Sequence, residues 1–139
     1  MRKEIAVKHI NEDLTFDPKL RQACLDIVDF LCLQPEQALR HITFGTLSGV
    51  AQLTNTEDLV AASRYLSGSR LPLLNLEFEF IDLDDVIHIS HEVITEAKAT
   101  GIFYHPETGE LIEEFEKMIY MYFELSSEGM ELNRSSSIN

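Results

Sequence analysis

Two histidines and a carboxylate stand close together in His88-Ile89-Ser90-His91-Glu92. Imidazole and carboxylate are ordinary ligands for zinc or iron, so the cluster raises metal-dependent chemistry. A His-x-x-His pair turns both rings to one side only on a helix. The residues up to Ser90 read as a strand, in which positions three apart face opposite ways. The expectation is exposed or capping histidines with no metal. His105 with Glu107 and Glu110 raises acid–base chemistry, which needs an imidazole held by a carboxylate in a cleft. The same stretch, His105-Pro106-Glu107-Thr108-Gly109, has the composition of a turn, and a structural role is expected for it.

Other chemistries find less support. Cys24 and Cys32 lie eight residues apart on an expected helix, roughly 12 Å along its axis, too far to bond to each other. They read as buried, reduced thiols. There is no Gly-x-Ser-x-Gly, no Cys-x-x-Cys and no phosphate-binding loop. Phe44-Gly45-Thr46-Leu47-Ser48-Gly49 has two glycines without the spacing or the lysine of such a loop. Glu113, Glu114 and Glu116 read as a solvated helix face. No catalytic residue, cofactor or metal is assigned, and the protein is not expected to be an enzyme.

The elements that must position these residues follow from apolar spacing. A short edge strand is expected at 5–10. Asp17-Pro18 starts an amphipathic helix through Leu33, with Leu20, Cys24, Ile27 and Leu31 on one face. A short helix at 44–53 capped by Thr43 and a third at 57–67 capped by Thr56 follow. Leu74, Leu76, Phe78 and Phe80 alternate with Asn75, Glu77 and Glu79, a half-buried strand. Asp82 to Asp85 makes a turn and 86–89 the return strand. Ser90 caps a helix at 91–100 ended by Gly101. A last helix is expected at 110–125, marked by Leu111, Phe115, Met118 and Tyr122, then a flexible polar tail at 126–139. The sum is one α+β domain over 1–125.

Charge is split unevenly along the chain. Residues 1–72 carry eight Lys/Arg against nine Asp/Glu, and residues 73–139 carry three against fifteen. The composition, 45% hydrophobic and 25% charged, suits a globular protein that folds without disulfide or metal. No run of about 18 apolar residues suggests a membrane span. The basic opening Met1-Arg2-Lys3 lacks the apolar core of a leader, so a cytoplasmic location is expected.

The pattern over 41–89 resembles the winged helix-turn-helix superfamily. Phe44, Leu47 and Val50 stand for the second helix, and Leu59, Ala62 and Leu66 for the third. Leu74, Leu76, Phe78 and Phe80 stand for the first strand of a β-hairpin wing. The resemblance implies a winged-helix-like three-helix core with a helical C-terminal extension, and a third helix able to enter the DNA major groove. The residues that would do so here are Ser63, Arg64 and Arg70. The wing would carry Glu77, Glu79, Asp82, Asp84 and Asp85, which repel phosphate. DNA binding by this chain alone is therefore not favoured. Those carboxylates instead form a candidate acidic interaction surface.

Met118-Ile119-Tyr120-Met121-Tyr122-Phe123 is apolar throughout, more than one helix face can bury. Met118, Tyr120, Met121, Tyr122 and Phe123 are candidates for a partner or homodimer interface, and a strand is the alternative for this run. Three functions are weighed. The first is a non-enzymatic acidic protein-interaction module, an adaptor or regulatory subunit with a basic protein partner and no membrane. The second is a DNA-binding transcriptional regulator. The third is a small metal-dependent enzyme built on His88, His91 and His105.

Overall fold

The computed structural model describes residues 1–83 and 85–136. The fold is α+β: among the described residues, six α-helices accompany one three-stranded antiparallel sheet in which β1 (Leu74–Asp82) lies between β2 (Asp85–Ile89) and β3 (Ile119–Leu125). The chain divides into two compact units, one formed by residues 1–75 with 123–139 and the other by residues 76–122. The sequence suggested one domain; the second unit begins within the strand Leu74–Asp82 and ends within the strand Ile119–Leu125.

The larger unit is built around α2 (Pro18–Leu33). Asp17 starts it, its carboxylate accepting from Leu20 N at 3.1 Å. Cys24, Ile27, Val28 and Leu31 form its fully buried stripe. Against α2 pack α1 (Lys3–Asp13), α3 (Phe44–Ala51), α4 (Thr56–Ser67) and α6 (Ser127–Ser136). They contribute Ala6 and Ile10, Leu47, Ala62 and Leu66, and Leu132, each burial of a Leu or Ile being worth about 1.5–3 kcal/mol. Thr43 caps α3 through Thr46 N. The cap of α4 is Asn55, accepting from Asp58 N at 2.8 Å, and not the expected Thr56, which lies inside the helix. Ile42 exchanges both backbone hydrogen bonds with Phe123, each 2.7 Å, and the Phe123 ring meets Phe44 edge-on at 5.0 Å.

Three expectations are corrected here. Residues 5–10 are not a strand: Ala6, Ile10 and Leu14 recur every four residues and are buried, and α1 forms on that stripe. Residues 126–136 are not a flexible tail. Ser126 accepts from Gly129 N at 3.0 Å and opens α6, which buries Gly129, Leu132 and Asn133; residues 137–139 lie outside the described residues. The expected helix at 110–125 does not form. Glu114 takes a left-handed backbone, a single 3₁₀ turn spans Phe115–Lys117, and Ile119–Leu125 is strand β3. The aromatic and β-branched run prefers the pleated surface over a helix that would expose half of it.

The smaller unit, 76–122, starts within β1 (Leu74–Asp82). β2 (Asp85–Ile89) pairs with it antiparallel, from Phe78 opposite Ile89 to Asp82 opposite Asp85. Ser90 caps α5 (His91–Thr100) through Val93 N at 3.3 Å, and Gly101 ends it at φ +76°. Residues 103–112 fold back on themselves as a hairpin in which Tyr104 faces Leu111. The core is aromatic: Phe80 and Phe115 each lie 5.5 Å from Phe103, ring centre to ring centre, with Phe78, Ile89, Ile94 and Ala97 around them.

Candidate interaction surface

The three histidines serve the fold at two places. His88 Nε2 lies 2.9 Å from Glu77 Oε2, and His91 Nε2 lies 3.7 Å from the same oxygen. The expectation that these two rings diverge is thus corrected: His91 is the first residue of α5, and the bend at Ser90 turns it toward Glu77. His91 Nε2 also lies 2.7 Å from the Leu76 carbonyl oxygen, which can only accept, so that nitrogen carries a proton and has no lone pair for a metal. His105 is buried. Its Nδ1 accepts from Glu107 N at 3.1 Å and Thr108 N at 3.2 Å, closing the turn, and its Nε2 faces Asp85 at 3.7 Å. Glu77 lies one residue beyond the Phe78–Ile89 pair, and Asp85 sits at the other end of the β1–β2 ladder. The rings of His91 and His105 meet different phenylalanines of β1, His91 lying 5.2 Å from the Phe78 ring and His105 5.2 Å from the Phe80 ring. Among the described residues, no group of three His, Cys, Asp or Glu is placed to hold a metal ion.

The residues considered for DNA contact are only partly presented. Ser63, read as outward-facing, is buried and donates to the Leu59 carbonyl at 2.8 Å. Arg70 is held by Asp13 through two hydrogen bonds, at 2.9 and 3.1 Å. That guanidinium, and then the Tyr65 hydroxyl, hold the Asp13 carboxyl below the usual carboxylate range. Arg64 is exposed on α4, but the first turn of that helix carries Glu57 and Asp58, the latter 2.8 Å from Lys19 Nζ. Neutralising several phosphates requires several available cations.

Of the candidate interface run, Phe123 is buried, Met118 and Tyr122 are half-buried, and Tyr120 and Met121 are each 49% exposed. β3 is one of the two outer strands of the sheet, with Ile42 bridged to it at Phe123. Of the candidate acidic residues, Glu79 is buried, Glu77 is tied to the histidines, and Asp82 is half-buried. Asp85 is exposed, and Asp84 lies outside the described residues.

The acidity nonetheless belongs to one unit. Residues 76–122 contain two lysines and twelve Asp/Glu, a net charge of −10; the rest of the chain holds nine Lys/Arg and twelve Asp/Glu, a net of −3. The two lysines are engaged within the same unit: Lys98 Nζ sits 5.9 Å from the centre of the Phe78 ring, and Lys117 Nζ is 3.4 Å from Glu114. Most of the carboxylates are exposed, on α5 (Glu92, Glu96) and from Glu107 to Glu116. This unit also carries eight of the twelve large apolar side chains exposed among the described residues, including Val93, Ile102, Tyr104 and Leu111.

Sequence reasoning missed this second patch. Its signals were present: Ile102-Phe103-Tyr104 directly after Gly101, and Val93 one position off the buried Ile94–Ala97 stripe of α5. Among the described residues, no helix is long and apolar enough to cross a membrane. Compared with protein-family models, with curated proteins and with solved structures, the chain gives no match.

Proposed function

We propose that this chain is a non-enzymatic interaction module that engages a cationic protein partner through residues 76–122. The coincidence of a net charge of −10 with eight exposed large apolar side chains in these 47 residues carries the reading. Solubility alone favours charge without exposed apolar side chains. An apolar patch with polar surroundings is the composition of a binding surface, and a single sign of charge steers an opposite one toward it.

The remainder is read as winged-helix-like. α2, α3 and α4 supply the three helices, and Ile42, β3 and β1 lie side by side as wing strands do. In this reading the wing is β1 with β3, not β1 with β2, and the chain between those two strands is an insertion in the sequence. The regulator reading has weaker support, because Ser63 is buried and Arg70, though exposed, is held by Asp13 through two hydrogen bonds.

A fluorescently labelled oligo-lysine tests the reading by anisotropy with the full chain. Binding at low salt that weakens steeply toward 0.3 M is expected, since exposed charges are then screened within roughly 6 Å. Replacing Glu107, Glu110, Glu113 and Glu114 together by glutamine weakens it further. Absence of binding at low salt, or binding indifferent to the four substitutions, refutes it.

A further inference from the structure

Beside α5 lies an open groove of about 310 Å³. Its floor is Ala97 and Phe103, both buried, and its walls are Val93 and Thr100 on one side and Ile102 and Tyr104 on the other. We infer that this groove takes the apolar face of a cationic amphipathic helix belonging to the partner protein. The inference rests on the reading of residues 76–122 as an interaction unit, and names where and how that unit recognises its partner.

Three observations argue for this occupant. The lining residues of α5, at 93, 96, 97 and 100, follow the i, i+3, i+4, i+7 stripe of one helix face, which adjoins the buried Ile94–Ala97 stripe and shares Ala97 with it. Small Ala97 and Thr100 lie along it between larger neighbours, leaving the kind of depression into which a ridge of another helix packs. Second, the opposite wall offers little backbone, since the Ile102 N–H donates to Thr100 Oγ1 at 3.1 Å and the Phe103 carbonyl accepts from Ile112 N at 2.9 Å. An added strand would find an edge of one residue, Tyr104, so the recognition falls to side chains, as in helix-in-groove binding. Third, Glu96 lines the groove and Glu92 stands one turn before it, while no Lys or Arg lines it. A ligand with leucine or methionine at helical spacing and Lys or Arg on its flanks satisfies both the apolar walls and these carboxylates. The ten residues of α5 span about 15 Å, matching two to three turns of such a helix.

The probe is a labelled 16-residue Lys/Leu peptide with leucines at helical spacing. A scrambled peptide of the same composition without that spacing serves as control. The full chain is titrated with each at low salt. The patterned peptide is expected to bind at least about tenfold tighter than the scramble, and Val93→Asn or Ile102→Ser is expected to remove that advantage, about tenfold each, while leaving the scramble unaffected. Both substitutions fall on exposed side chains, and an unchanged circular dichroism melt verifies the fold. Equal binding of the two peptides, or a patterned peptide indifferent to both substitutions, overturns the groove while leaving the cationic-partner reading intact. Failure of both peptides to bind overturns both.

Discussion

Replacing Gly129 by alanine sets two opposed effects against each other in α6. Intrinsic propensity favours the change by about 1 kcal/mol, because alanine is the better helix former. Packing opposes it. A Cβ built at Gly129 collides with the Leu73 carbonyl oxygen and comes within 2.9 Å of Leu125 Cδ2. Leu73 cannot simply withdraw, because the same oxygen accepts from Ser126 N at 2.9 Å, a bond worth about 1 kcal/mol. Overpacking of this kind costs about 1–3 kcal/mol, to which the strained hydrogen bond adds. The net expectation is destabilisation by about 2 kcal/mol, seen as a fall of about 1 M in the urea midpoint followed by circular dichroism. Gly49, on α3, is the matched control: nothing lies within 4 Å of a Cβ there, so Gly49→Ala stabilises by up to about 1 kcal/mol. If both substitutions stabilise alike, α6 is not seated against Leu73, and the account of the C-terminal segment is wrong.

Three further predictions follow from the larger unit. Asn133 Nδ2 donates to the Leu31 and Gln34 carbonyls, each 2.8 Å, and so closes the end of α2; Asn133→Ala costs about 2 kcal/mol in the same assay, and Asn133→Asp, an acceptor facing two acceptors, costs more. Burial pushes the Cys24 thiol up to about 12, so thiol reagents at neutral pH leave it unmodified in the native protein and modify it in urea; rapid native labelling at Cys24 contradicts its burial. Asp13 titrates below its ordinary value because Arg70 and Tyr65 hydrogen-bond its charged form, so its contribution is present above about pH 4 and is lost as pH falls through the depressed value. Asp13→Asn therefore lowers stability at neutral pH and flattens its decline on the acid side; an unchanged acid slope counts against that interaction.

The helices with a cap and a clean apolar stripe were legible in the sequence. Asp17-Pro18, Thr43 and Ser90 each mark a start that the structure keeps. What misled was periodicity read alone. Leu111, Phe115, Met118 and Tyr122 keep helical spacing, yet Glu114 takes a left-handed backbone at φ +54° that nothing in its side chain announces. The better signal was the apolar run itself, which no single helix face can bury. α6 was invisible for a different reason. It docks through a glycine, an asparagine and one leucine, so its seat depends on backbone approach and on Asn133 reaching the end of α2, neither of which leaves a hydrophobic stripe. The acidic second half was plain from composition. That twelve of its carboxylates fall within one compact unit, beside exposed valine, isoleucine and tyrosine, became visible only when the fold divided the chain.

The most direct measurement is a two-dimensional amide NMR titration of the ¹⁵N-labelled full chain with oligo-lysine, and in parallel with a short DNA duplex, both at low salt. The predicted result is that oligo-lysine shifts resonances of α5 and of residues 102–116, leaves α4 in place, and that the duplex shifts nothing. Shifts concentrated in α4 on adding the duplex, with residues 76–122 silent toward oligo-lysine, would contradict the account.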